Sequence, residues 1–203
     1  MKNVGVLVSG RGSNMIALFE AMRSGDATGR PVLVLSNEPD APALARAASY
    51  GVATRVIPHR DFRGQGREAY DRALAAALDE AGVEIVCLAG FMRVLSAWFT
   101  DRYAGRLINI HPGLLPSFPG LHAQRQALEH GVRVAGCTVH FVDAGTDTGP
   151  IIAQSSVAVH DDDTVDTLRA RILAEEHQLL PRVVSLFAQG RVRAEGRRVK
   201  IVT

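Results

Sequence analysis

Apolar and polar positions alternate along this chain on two periods. Short, almost wholly apolar runs recur at residues 4–8, 31–36, 53–57, 84–88 and 106–110. Runs of that length and character predict strands buried on both faces, as in a parallel sheet covered by helices. Between them, residues 13–23 set Ile16, Phe19 and Met22 at helical spacing, with Gly25 as a stop. Residues 42–50 form an Ala-rich helical segment ended by Gly51. Residues 67–81 form a longer one ended by Gly82, and 96–103 a short one. The stretch 59–66 is expected to be a polar loop. Strands and helices in strict alternation give an α/β fold.

The pattern changes after His111. Residues 112–122 are rich in Pro and Gly and predict no regular element, whereas Ala123–Glu129 predicts a helix. Two β-rich runs, 135–142 and 151–159, joined by a Gly/Asp loop, predict an antiparallel extension of the sheet. Asp163 is expected to cap a long helix reaching Gln189, with Asp166 completing the capping arrangement. Pro181 is expected to kink or split that helix. Glu195-Gly196 predicts the turn of a small hairpin. No repeat or linker interrupts the pattern, so one domain over 1–203 is expected.

Composition narrows the functional classes. A chain of 203 residues buries roughly 70% of its unfolded surface and needs no staples. Lys and Arg number 23 against 21 Asp and Glu, a formal net charge of +2. That balance gives no argument for a nucleic-acid or membrane partner. The segment 189–203 alone carries +4, so the remainder sums to −2. The two cysteines, Cys87 and Cys137, lie in apolar runs and make neither a disulfide framework nor zinc spacing. The N-terminal apolar run is too short for a signal sequence and reads as a first strand. A cytoplasmic setting is therefore expected, with no metal.

Three segments carry candidate chemistry. Ser9–Asn14, SGRGSN, lies between a strand and a helix, where glycines and free N–H groups can hold a phosphate without a lysine. Met15 stands where a dinucleotide fingerprint has its third glycine, so a single phosphate monoester fits better than a dinucleotide. The bland alternative is a tight βα turn. In LINIHPGLLP, strand alternation puts Asn109 and His111 on one side at the carboxyl edge of a parallel strand. Asn can donate to a developing oxyanion, and His can act as acid or base. Asp143 and Asp147 lie in a Gly-flanked loop; they can orient a histidine or serve as turn residues. The run His160–Asp163 reads as a solvated loop.

Taken together, VLVSGRGSN, GREAYD, LAGFMRVLS, INIHPGLLPSFPGLHA, GCTVHFVDAGTDTGPII and EEHQLLP resemble the phosphoribosylglycinamide formyltransferase family across nearly the whole chain. One departure is Gly113, where several relatives have Ser. The resemblance implies a Rossmann-like formyltransferase fold with a phosphate-binding half (1–110), a folate-binding and catalytic half (111–188) and a basic tail (189–203). It implies formyl transfer from 10-formyltetrahydrofolate to phosphoribosylglycinamide in purine biosynthesis, by a monomer or homodimer. Gly12, Ser13 and Asn14 would hold the phosphate, and Glu176 the ribose. Asn109, His111 and Asp147 would be catalytic, with Asp147 favouring a charged His111. Arg67, Met92, Arg93, Val94, Leu95, Asn109, Val142 and Asp143 would contact the folate. The rivals are a formyltetrahydrofolate hydrolase and a non-catalytic nucleotide-binding module.

Overall fold

A computed structural model describes residues 1–202. The central sheet is built from β1 (Asn3–Val8), β2 (Arg30–Ser36), β3 (Ala53–Val56), β4 (Ile85–Leu88), β5 (Leu107–His111), β6 (Val134–Phe141) and β7 (Ile151–Ala158). Its spatial order is β3-β2-β1-β4-β5-β6-β7. The first five strands run parallel. β6 pairs antiparallel with β5, and β7 antiparallel with β6.

At the edge of the sheet, β3 is mostly exposed and not buried on both faces as its run predicted. Alternation within β1 shows why a central strand's run is apolar throughout. Val4, Val6 and Val8 enter one core layer and Leu7 the other, all fully buried. The first layer is closed by α1 (Ser13–Ser24), α2 (Pro42–Ser49), α5 (Ala123–Glu129) and α6 (Val165–Ala188). The second is closed by α3 (Arg67–Glu80) and α4 (Ala97–Arg102). Cys87 and Cys137 are free and buried. No described helix is long and apolar enough to cross a membrane.

Three further local expectations are corrected. The segment 59–66 contains a 3-10 turn, His59–Phe62. Asp163 is not the cap of α6. Thr164 is, accepting from the Thr167 N–H at 3.2 Å while Thr167 Oγ1 accepts from the Thr164 N–H at 2.9 Å. Asp163 instead binds the Arg171 guanidinium at 2.8 Å and the His160 N–H, and these hold its carboxyl far below the usual range. Nor does Pro181 split α6, which continues unbroken through it. An interior proline costs about 3 kcal/mol. Here it is buried beside Leu180, Val183 and Val184, whose packing offsets the missing bond.

The basic tail forms the expected hairpin, β8 (Val192–Glu195) with β9 (Arg198–Ile201). Its turn reaches the β6–β7 loop, where Arg197 donates to the Thr148 carbonyl at 3.0 Å. Strand order reverses between β1 and β4, since the chain first winds toward β3 and then toward β7. Open α/β sheets bind ligands in the crevice at such a point, outside the carboxyl ends of the strands.

Candidate active site

On the β1 side of that crevice the chain turns into α1 at Gly12, whose φ is +70°. A Cβ there would also come within 2.6 Å of the Ala43 Cβ. Only glycine satisfies both conditions. Gly12 caps α1 without a side-chain bond, and the first turn holds no acid. The first helical bond runs from the Ile16 N–H to the Gly12 carbonyl. The N–H groups of Ser13, Asn14 and Met15 thus have no acceptor within the helix and suit an anion. Met15 itself is wholly buried. Asn14 Nδ2 donates to Glu176 Oε2 at 2.6 Å, across from α6. Burial pushes the Glu176 carboxyl up to about 7, against the pull of that bond. Asn14 Oδ1 is buried with no protein partner.

Beside this loop opens a cleft of about 480 Å³ at the ends of β4 and β5. Met92, Arg93, Val94, Leu95, Asn109, His111, Val142, Asp143 and Asp147 all line it. Its lip carries exposed apolar side chains: Met92 at 62%, Val94 at 51% and Leu121 at 67%.

The polar centre of the cleft is a chain of side chains. In the β5–β6 pairing His140 lies opposite Asn109 and Thr138 opposite His111. His140 Nδ1 is 2.7 Å from the Phe141 carbonyl, which places the ring proton there. Its Nε2 then accepts from Asn109 Nδ2 at 3.2 Å, leaving the second Asn109 N–H free to point elsewhere. His111 is 3% exposed. Its Nε2 meets the Phe118 carbonyl at 2.9 Å, and its Nδ1 lies 3.2 Å from Asp147 Oδ2. Asp147 Oδ1 lies 3.5 Å from His140 Nε2, and Oδ2 also accepts from the Gly120 N–H at 2.8 Å.

Two acceptors facing both ring nitrogens fit a charged His111. Burial nonetheless pushes its pKa below the ordinary value, against the pull of Asp147 and the Phe118 carbonyl. Asp147 does pull toward the charged ring, the direction expected from the sequence, and burial outweighs that pull. The ring is therefore shaped for the imidazolium yet gives its proton up readily. For Asp147, burial works upward but is outweighed by the nearby His140 and His111 rings and the Gly120 N–H, which hold the carboxyl below its usual value.

The loops around this centre are strained. Among the described residues, the non-glycine residues with positive φ are Phe118 (57°), His122 (62°) and Asp147 (55°), all in the two loops over the cleft. Gly149 closes one of them; a Cβ there would come 1.8 Å from the Phe141 carbonyl oxygen.

A formyl transferase family model matches residues 2–184. The chain belongs to the formyl transferase family. It is 46% identical over 191 residues to the phosphoribosylglycinamide formyltransferase of Escherichia coli, covering 94% of this chain and 89% of that protein. It is 50% identical over 192 residues to the trifunctional purine biosynthetic protein adenosine-3 of Drosophila melanogaster, covering 93% of this chain but only 14% of that much longer protein. Among solved structures, glycinamide ribonucleotide transformylase 1 of Symbiobacterium toebii superimposes with a TM-score of 0.97 at 51% identity, covering 100% of this chain and 95% of that one.

Not every residue expected from the formyl transferase resemblance meets in one cavity. Gly12, Ser13, Asn14 and Glu176 form a separate polar corner beside the cleft. Arg67 is exposed at the first turn of α3, outside the cleft lining, with its charge felt by the buried Asp71. Asp143 lines the cleft, but its Oδ1 accepts from the Gly145 N–H and the Thr148 hydroxyl, so it also braces the loop. At Gly113 a Cβ would meet His111 Nε2 at 2.9 Å.

His140 and Thr138 are absent from the expected set. Thr138 accepts from the Leu115 N–H and donates to the Gly113 carbonyl, pinning the loop that follows His111. The available signal was two polar residues in step within the apolar run GCTVHFV. Among the described residues no group of three His, Cys, Asp or Glu side chains is arranged to hold a metal ion.

Proposed function

We propose that this formyl transferase moves the formyl group of 10-formyltetrahydrofolate to the terminal amine of phosphoribosylglycinamide, in purine biosynthesis in the cytoplasm. The observation that carries this reading is the juxtaposition at the switch point. An uncapped helix N-terminus suited to one phosphate lies beside an apolar-lipped cleft centred on Asn109, His111 and Asp147. A hydrolase has no need of the first feature, and a passive nucleotide module has no need of the second.

The neutral amine attacks the formyl carbon, and the carbonyl electrons move to oxygen. The free N–H of Asn109 donates to that oxygen. His111 supplies a second donor when its 3.2 Å contact with Asp147, the longer of its two, loosens. Collapse of the tetrahedral species breaks the bond to the folate nitrogen. The proton lost by the attacking nitrogen passes to the leaving nitrogen, by way of a water held at Asp147. No covalent enzyme intermediate forms, and the steps as drawn use no metal. Much of the acceleration comes from aligning two bound substrates. In the same reading Gly12, Ser13 and Asn14 bind the phosphate and Glu176 the ribose. Met92–Leu95, Val142 and Asp143 bind the pterin end of the folate, with Arg67 acting at longer range. The active species is a monomer or homodimer.

The deciding experiment is an assay with formyl-folate in the presence and absence of phosphoribosylglycinamide. Formylated ribonucleotide appearing only with the acceptor supports the proposal. Formate released at the same rate in both reactions replaces it with hydrolysis.

A further inference from the structure

The anion loop and the folate segment are joined by one side chain. Ser9 follows the last residue of β1, and its N–H donates to the Gly90 carbonyl beyond β4 at 3.0 Å. Its hydroxyl accepts from the Met92 N–H at 2.8 Å and donates to Asn37 Oδ1 at 2.5 Å. Asn37 is 3% exposed. Its Nδ2 is committed elsewhere, to Glu38 Oε1 at 3.0 Å and His59 Nδ1 at 3.3 Å. The amide therefore cannot turn, so its oxygen always faces Ser9. That fixes the direction of the hydroxyl proton and leaves a lone pair aimed at Met92. A free hydroxyl rotor becomes a directed latch across the switch-point crevice.

We propose that Ser9 is a positioning residue that couples the two substrate sites. It ties the start of the phosphate loop to the backbone of the segment that receives the folate. Ser9 lies three residues before Gly12, whose left-handed backbone (φ +70°) packs closely against Ala43. An anion that draws the Gly12–Asn14 backbone around itself settles Ser9, and Ser9 settles the Met92 N–H. Each ligand thereby reduces the ordering left for the other, which is positive cooperativity. This inference rests on the substrate reading above.

The test is calorimetric, with tetrahydrofolate as an unreactive folate and phosphoribosylglycinamide as its companion. Each is titrated alone and against protein saturated with the other. In the wild type each ligand should tighten the other about five-fold or more, by the same factor in both directions. Ser9→Ala should bring that factor close to one. It should weaken tetrahydrofolate binding while leaving the ribonucleotide bound alone within about two-fold. Ser9→Thr, which keeps the hydroxyl, should restore most of the coupling. Asn37→Ala frees the rotor without removing it and should give an intermediate factor; it also carries the test if Ser9→Ala fails to show a cooperative melt. Undiminished coupling in the folded variant, or none in the wild type, overturns the latch alone. A wild type that binds neither ligand overturns the substrate reading and the latch with it.

Discussion

On the β1–β4 side of the crevice the groups left open are backbone donors, set by one glycine and a regular helix start. On the β5–β7 side they are side chains, held by two irregular loops with three non-glycine residues at positive φ. Such residues cost on the order of 1–3 kcal/mol each. The first arrangement asks little of the fold, because an α-helix always ends in unpaired N–H groups. The second fixes two rings, an amide and a carboxylate at chosen distances, and regular secondary structure alone does not provide that. Under the proposed function, binding and chemistry thus draw on different physical resources within a single sheet.

The sharpest test of this contrast is Asn109→Ala. It should lower turnover by about 10²–10³, the loss typical of an oxyanion donor, with an unchanged melting temperature in calorimetry. A near-normal rate would mean that the β5 side chains do not stabilise the developing charge. Gly12→Ala on the other side should behave in the opposite way. It should destabilise the protein by about 1–3 kcal/mol and raise KM for the ribonucleotide, with kcat little changed. A fall in kcat with KM intact would break the division between the two regions.

Next in size is the pH response of Glu176, whose carboxyl titrates near 7 because it is buried. Ribonucleotide affinity should rise between pH 6 and pH 8, as the carboxylate able to accept from ribose hydroxyls forms. Stability runs the other way. A carboxyl raised in the folded state contributes stability fully present below its unfolded pKa, and this is lost as pH rises through about 7. Glu176→Gln should accordingly be more stable than wild type at pH 8, by about 1–3 kcal/mol in denaturant unfolding. Equal stability of the two proteins at pH 8 would mean that the carboxylate is accommodated without cost.

A smaller and subtler change is expected from Asp147→Asn. Burial already lowers the His111 pKa, and loss of the nearby negative charge should lower it further. The alkaline limb of the rate profile that needs protonated His111 should move to lower pH by about one unit or more. An unmoved limb would leave Asp147 as a turn residue. The smallest effect belongs to Arg197→Ala. An exposed side chain with one bond to the Thr148 carbonyl should change stability by less than about 0.5 kcal/mol. A clear drop in kcat would bring the hairpin into the catalytic half.

The contrast also explains what was legible in the sequence. The central strands β1, β4 and β5 show in short apolar runs because burial on both faces leaves no other pattern, and the helices between them show in their glycine stops. Asn109 and His111 show as a pair because strand alternation is local. His140 does not, because its role exists only once β6 lies antiparallel to β5 and sets it opposite Asn109, 31 residues away in the chain. Thr164, not Asp163, caps α6 because Arg171 claims the Asp163 carboxylate, and nothing in the local pattern decides that competition. The direction of the His111 pKa likewise depends on burial by loops that have no periodicity.

Met92, Val94 and Leu121 stand wet at the lip of the cleft. Water around those side chains carries a heat-capacity signature that disappears when something covers them. A folate that seats against the lip should therefore bind with a negative heat-capacity change, visible as an enthalpy that becomes more favourable with each rise in temperature.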